Sequence, residues 1–280
     1  MIYGIVGLGV MGGSFAKRLK ELGETVYGVD LNGDAIKEAK AQGIIDKGSV
    51  EAQDVLSDCD VVIFCLYPTK IGPFMEQHKD DFKAGAVLLE ISGVKSGITG
   101  PLHDLCRPDC ELVSIHPMCG RESQGLAYSD AKIFSGANFL IIPWNNKEKT
   151  LAQVHGLAAR LGCQTISEIG PEDHDRMIAF LSQLTHVIAV SLMNTHENGH
   201  LVEFTGDSFR DLTRIARINE NMWPELFILN KEILLDEIDQ FIASMEDFRS
   251  LLRDENVEGM KERMTTSTRR RARFDKVKQG

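Results

Sequence analysis

The segment Gly7-Leu8-Gly9-Val10-Met11-Gly12 constrains this chain more than any other stretch. A GxGxxG run is weak evidence by itself, and its surroundings give it force. It follows a short apolar run, residues 2–7, and opens an amphipathic stretch carrying Phe15, Leu19 and Leu22. In a strand–turn–helix unit of this kind Gly7 permits the tight turn, and Gly9 lets a pyrophosphate approach the backbone. Gly12 lets the helix pack closely on the strand. The helix N-terminus then faces the phosphate charge. Gly7, Gly9, Val10, Met11 and Gly12 are therefore expected to form a dinucleotide cradle. A second strand ends at Asp30, 18 residues after Gly12. A carboxylate there accepts hydrogen bonds from both ribose hydroxyls and repels a 2′-phosphate. Leu31 and Asn32 supply no arginine to hold one, so NAD is favoured over NADP.

Beyond the loop, short apolar runs alternate with amphipathic stretches. Strands are expected at 2–7, 25–30, 61–66, 86–91, 111–115, 138–143 and 164–168. Helices are expected at 13–22, 33–42 and 150–161. Several runs are apolar on both faces, as in a parallel sheet covered by helices. The pattern predicts a doubly wound, Rossmann-type α/β domain over residues 1–170. From Glu172 onward the strand signal fades. Residues 176–194 form a long apolar segment, and residues 224–252 repeat apolar side chains at helical spacing. Residues 171–280 are thus expected to be an all-α domain for substrate and dimerisation, apolar enough to join two copies as a homodimer.

The formal net charge of −10 and pI near 5.3 argue against a nucleic-acid partner. The run Arg269-Arg270-Arg271-Ala272-Arg273 reads as a solvated helix end. The first residues read directly as a strand with no basic leader, and no apolar run approaches the roughly 20 residues needed to cross a bilayer. The six cysteines lack CxxC spacing, as expected of reduced thiols in a cytoplasmic protein. His196-Glu197-Asn198-Gly199-His200 fits the HExxH zinc pattern, but Gly199 disfavours a rigid helix and no third ligand stands out. No metal and no membrane are expected.

Three positions outside the loop carry candidate chemistry. His116 follows the strand expected at 111–115, where open α/β sheets place their ligands. An imidazole there suits removal of a hydroxyl proton as hydride leaves the same carbon, although a lone strand-end histidine is more often structural. His186 sits on a helix that is apolar nearly all round, so it must find a partner or line a cavity. Arg210, Arg214 and Arg217 share one helical face, and guanidinium groups in an acidic chain suggest a carboxylate ligand. Pairing with Asp207 and Asp211 is the plainer reading.

Together these segments resemble the prephenate/arogenate dehydrogenase family of tyrosine biosynthesis. The likeness runs through the glycine loop, AlaGlnGlyIleIleAsp at 41–46, ValLysSerGly at 94–97, HisProMetCysGlyArgGlu at 116–122 and GlyProGluAspHisAsp at 170–175. It is most specific in PheArgAspLeuThrArgIleAla at 209–216 and MetTrpProGluLeuPhe at 222–227. The resemblance implies NAD(P)-dependent oxidative decarboxylation of prephenate to 4-hydroxyphenylpyruvate, or of arogenate to tyrosine. It implies His116 as the catalytic base, His186 as a second active-site histidine and Arg214 as the substrate-carboxylate arginine. Glu122 and Trp223 are implied near the substrate. The chain departs from the family at Gly93, where a serine close to the reacting hydroxyl is usual; Ser92 substitutes for it, or the contact is lost. Two other readings are a β-hydroxyacid dehydrogenase, whose catalytic lysine has no counterpart in 176–194, and a non-catalytic NAD-binding protein.

Overall fold

A computed structural model describes residues 1–120, 123–197 and 199–274. Eight strands form one sheet: β1 (Ile2–Val6), β2 (Thr25–Val29), β3 (Lys47–Ser49), β4 (Val61–Phe64), β5 (Val87–Glu90), β6 (Glu111–Pro117), β7 (Asn138–Ile142) and β8 (Thr165–Glu168). Their order is β3-β2-β1-β4-β5-β6-β7-β8. The first six run parallel, as the doubly apolar runs predict. β7 turns back antiparallel to β6, and β8 runs parallel to β7.

Helices interleave with the strands as α1 (Val10–Glu21), α2 (Gly33–Ala41), α3 (Gln53–Leu56), α4 (Pro68–Gln77), α5 (Thr99–Leu105) and α6 (Glu148–Leu161). They cover both sheet faces. Phe15 and Leu19 of α1 pack with Ile5, Ile115, Phe134 and Phe139 on one side. Ile71 and Met75 of α4 and Leu102 of α5 pack with Phe64, Val62 and Leu112 on the other. The order of β1 and β4 about the switch point opens a crevice at the carboxyl ends of the strands, where such folds bind ligands.

After β8 the chain is helical: α7 (Pro171–Ile178), a π-turn at Ala179–Gln183, α8 (Leu184–Met193), α9 (Asp207–Thr213), α10 (Trp223–Leu229), α11 (Lys231–Arg253) and α12 (Val257–Arg271). Residues Met1–Lys231 form one compact unit and Glu232–Gly280 a second. The helices up to α10 therefore belong to the same compact body as the sheet. Buried polar contacts fasten them there. Asn230 donates from Nδ2 to the Asp175 carbonyl at 3.0 Å and to Gln183 Oε1 at 2.8 Å, and Gln183 Nε2 donates to the Leu226 carbonyl at 3.1 Å. Within the continuous helical stretch Pro171–Met193 an 18-residue window has mean hydropathy 1.4, so the helix is long and apolar enough to cross a membrane by length and composition, contrary to the expectation from sequence. Its interruption by Ser182, Gln183 and His186 hid that length in the sequence, and those residues turn toward a cavity.

Candidate active site

A cavity of about 620 Å³ opens at the carboxyl ends of β1, β4, β5 and β6. Gly9, Val10 and Met11 form one wall, with Ser92 and His116 beside them. His186, Arg214 and Trp223 close it from the helical segments. Glu122 lies outside the described residues. Gly7, Gly12 and Asp30 do not line the cavity.

The loop is built for close approach. Gly7 has φ +92°, and a Cβ there would stand 2.6 Å from the Cys65 carbonyl oxygen. A Cβ on Gly12 would stand 1.8 Å from the Gly7 carbonyl oxygen, so only glycine lets α1 rest on this turn. Gly9 caps α1 with no side chain bonded to the first-turn N–H groups, and a Cβ there would meet nothing within 4 Å. Those donors and the open space in front of them suit a diphosphate. Asp30 is tied to the same loop: Oδ2 accepts the Leu8 N–H at 2.6 Å and Oδ1 the Asn32 N–H at 2.8 Å. The carboxylate is thereby held at the end of β2 beside the loop.

His116 lies inside β6, one residue further into the strand than its sequence suggests. It is opposite Leu140 of antiparallel β7, whose pairing extends β6 through Pro117. Its Nδ1 lies 2.8 Å from Nε2 of His174, whose Nδ1 lies 2.7 Å from Oδ1 of Asp175. His174 and Asp175 are fully buried. The Asp175 carboxylate also accepts the backbone N–H groups of Lys95 and Ser96, both at 2.8 Å. Burial pushes this carboxyl up, but the hydrogen bonds from His174 and Ser96 outweigh it and hold it below its usual value. Burial, then His174, then Lys95 hold His116 well below the ordinary histidine range, so it stays neutral.

Beneath this row Lys95 and Glu90 form a buried ion pair at 2.6 Å, and Lys95 Nζ also donates to the Ile115 carbonyl. Ser92 belongs to that layer. Its hydroxyl lies 2.5 Å from Glu90 Oε2 and 2.9 Å from the Val94 carbonyl, and its N–H donates to the same carboxylate. The hydroxyl is thus engaged with the loop rather than with His116. At Gly93 a Cβ would stand 3.3 Å from Leu226 Cδ2, so leucine occupies the space beside the missing side chain.

On the helical side Nδ1 of His186 donates to the Ser182 carbonyl at 2.8 Å, and its ring lies against Trp223. The helix that would align the three arginines stops short: α9 ends at Thr213 and a 3-10 turn follows at Arg214–Ala216, so that Arg214 lines the cavity, Arg210 a neighbouring groove and Arg217 both. Arg210 pairs with Asp207 on the surface at 3.0 Å. His200 of the HExxH stretch is exposed and lies 3.7 Å from Glu203. Among the described residues no group of three His, Cys, Asp or Glu could hold a metal ion.

The family model of the prephenate dehydrogenase nucleotide-binding domain matches residues 15–167, and that of the prephenate dehydrogenase dimerization domain matches residues 170–266. The chain belongs to the prephenate dehydrogenase family. Members of known name resemble it throughout. A prephenate dehydrogenase of Bacillus subtilis is 24% identical over 265 residues, spanning 91% of this chain and 71% of that protein. A cyclohexadienyl dehydrogenase of Zymomonas mobilis is 25% identical over 276 residues, 95% of this chain and 94% of the relative. The crystal structure of prephenate dehydrogenase from Aquifex aeolicus, in complex with hydroxyphenyl propionate and NAD+, superposes with a TM-score of 0.89. It is 28% identical and covers 98% of each chain. The fold read from the sequence, a Rossmann-type part followed by helices, is that of the family.

The sequence missed the buried row behind His116. GlyProGluAspHisAsp marks the family resemblance, but nothing in its spacing ties His174 to His116, which is 58 residues away.

Proposed function

We propose that this chain oxidises and decarboxylates prephenate to 4-hydroxyphenylpyruvate with NAD as hydride acceptor, in the tyrosine branch of aromatic biosynthesis. One observation carries the reading: the glycine loop, His116 and Arg214 line a single cavity. The loop and Asp30 would hold the dinucleotide, which supplies the hydride acceptor when bound. His116, neutral in its buried setting, takes the proton of the ring hydroxyl as the C–O bond becomes a carbonyl. Arg214 holds a substrate carboxylate by charge-assisted hydrogen bonds. His186 and Trp223 line the opposite wall against the ring, Ser92 lies on the loop side, and Glu122 remains a substrate-binding candidate on the family resemblance alone. Loss of the ring carboxylate as carbon dioxide makes the ring aromatic, and the proton on His116 returns to the phenolate oxygen. Proton, hydride and carboxylate electrons are then balanced.

In the same proposal residues 1–170 bind the dinucleotide and residues 171–280 complete the substrate site and join two copies as a cytoplasmic homodimer. Exposed apolar side chains such as Phe180, Val202, Phe204 and Leu212 support the homodimer. Six free cysteines suit a reducing compartment.

Steady-state kinetics with prephenate and arogenate, each with NAD+ and NADP+, test this reading. Prephenate with NAD+ is expected to give the highest kcat/KM. A preference for arogenate would move the substrate assignment, and no turnover of either would overturn it.

A further inference from the structure

We propose that His174 and Asp175 are positioning residues that fix the tautomer of His116, so that its unprotonated Nε2 is the atom presented for proton removal. This rests on the reading of His116 as the base.

The polarity of the row follows from its buried end. Asp175 is ionised, because the donors around it hold its carboxyl down. Its oxygens can only accept, and they already accept the Lys95 and Ser96 N–H groups. His174 Nδ1, at 2.7 Å, must therefore carry a proton and donate it. Burial holds His174 below its ordinary value, so it is neutral and Nε2 has only a lone pair. That lone pair faces His116 Nδ1 at 2.8 Å. Two lone pairs would repel there, so Nδ1 of His116 carries the hydrogen. In a neutral imidazole the proton-accepting atom is then Nε2.

The row is rigid from end to end. Asp175 is clamped to the loop after β5 through Lys95 and Ser96, and to α10 through Asn230 on its carbonyl. Lys95, from the loop after β5, and Glu90, at the end of β5, face the two rings as a closed ion pair. Among the described residues Cys65, Tyr67, Cys119, His186, Arg214 and Arg217 share the cavity wall. A buried carboxylate that orients a base through its other nitrogen recurs in hydrolases, where replacing it by the amide costs about 10⁴-fold by reversing the tautomer. Here a second imidazole stands between carboxylate and base. As the substrate O–H bond breaks, the proton goes to His116 Nε2 and is not passed on to His174, which accepts a stronger hydrogen bond from the new imidazolium until the proton returns to the phenolate.

The test compares wild type with His116→Asn, His174→Phe, His174→Gln and Asp175→Asn, using prephenate and NAD+. Asp175→Asn removes the negative charge that fixes His174 and, through it, steadies the imidazolium formed on His116; kcat is expected to fall about tenfold or more, with KM changed less than about threefold. His174→Gln keeps an acceptor oxygen and should retain more turnover than His174→Phe. His174→Phe should also move the acid limb of kcat/KM downward, because it removes the acceptor that stabilises the protonated ring of His116. Should the buried variants fail to fold, ¹⁵N spectra of the histidine-labelled wild type decide, with His116→Asn assigning the signal among eight histidines. A protonated Nδ1 and bare Nε2 on His116 support the inference, and the opposite tautomer overturns it. Unchanged kcat and pH profile in both His174→Phe and Asp175→Asn overturn it as well. Wild-type turnover in His116→Asn would instead sink the base reading beneath it.

Discussion

The indole of Trp223 lies against the imidazole of His186, with ring centroids 3.8 Å apart and planes inclined by 32°. The stack joins α10 to α8 across the helical wall of the cavity. Nδ1 of His186 is bonded to the Ser182 carbonyl, so the ring orientation is set by its own helix and by the indole together. An aromatic contact of this kind contributes about 0.5–1.5 kcal/mol beyond burial. Trp223→Ala is expected to raise KM for prephenate by about 2- to 12-fold with a smaller change in kcat, while Trp223→Phe stays near wild type. Steady-state kinetics check this, and an unaltered KM in Trp223→Ala would remove the indole from substrate binding.

We propose that Asp30 carries the cofactor preference. Its carboxylate is anchored by two backbone N–H groups, leaving further lone pairs for ribose hydroxyls. Asp30→Ser removes the charge that repels a 2′-phosphate and weakens the charge-assisted bonds to the ribose. The ratio of kcat/KM for NAD+ over NADP+ is expected to fall about tenfold or more. Kinetics with both nucleotides read the ratio directly.

The pH dependence follows from burial. His116 and His174 are both held below the ordinary histidine value, near pH 6.5, chiefly by desolvation. A base with a depressed pKa stays unprotonated down to lower pH. The acid limb of kcat/KM is therefore expected below about pH 6.5, with a level profile through pH 7. Folding stability has the same sign. The unfolded chain binds protons at these histidines first, so their contribution is complete above about pH 6.5 and is lost as pH falls toward their folded values. A pH series of kcat/KM and of thermal unfolding tests both.

Much of this was written in the sequence. GxGxxG after an apolar run sets the loop geometry because steric limits at Gly7 and Gly12 admit no other residue. The apolar runs became strands near their expected bounds, since a doubly covered parallel sheet leaves no polar alternation to blur them. What stayed hidden depends on contacts distant in the chain. The reversal of β7 requires a neighbour, not a period. Glu90 at the end of a strand and Lys95 in the loop after it look like unrelated charges until the fold closes over both. The one-face reading of Arg210, Arg214 and Arg217 assumed an unbroken helix; after the 3-10 turn that follows Thr213, Arg214 lines the cavity without Arg210, while Arg217 lines both the cavity and the groove beside Arg210.

The Lys95–Glu90 pair supports the floor of the site. Both side chains are fully buried, so removing one charge strands the other in a poor solvent. Lys95→Met is expected to destabilise the protein by about 3–5 kcal/mol. Adding Glu90→Gln, which removes the stranded charge and keeps an oxygen for Ser92, should recover much of that loss. Denaturant unfolding of the single and double variants measures it; a double variant no more stable than Lys95→Met would contradict the account.

The most direct test of the central claim is the yield of NADH and 4-hydroxyphenylpyruvate from prephenate and NAD+, with wild type and His116→Asn side by side. The account predicts one product of each kind per prephenate consumed by wild type. It predicts a kcat about 10²-fold lower or worse in His116→Asn, with prephenate still bound. No turnover by wild type, or near-normal turnover without the imidazole of His116, would contradict it.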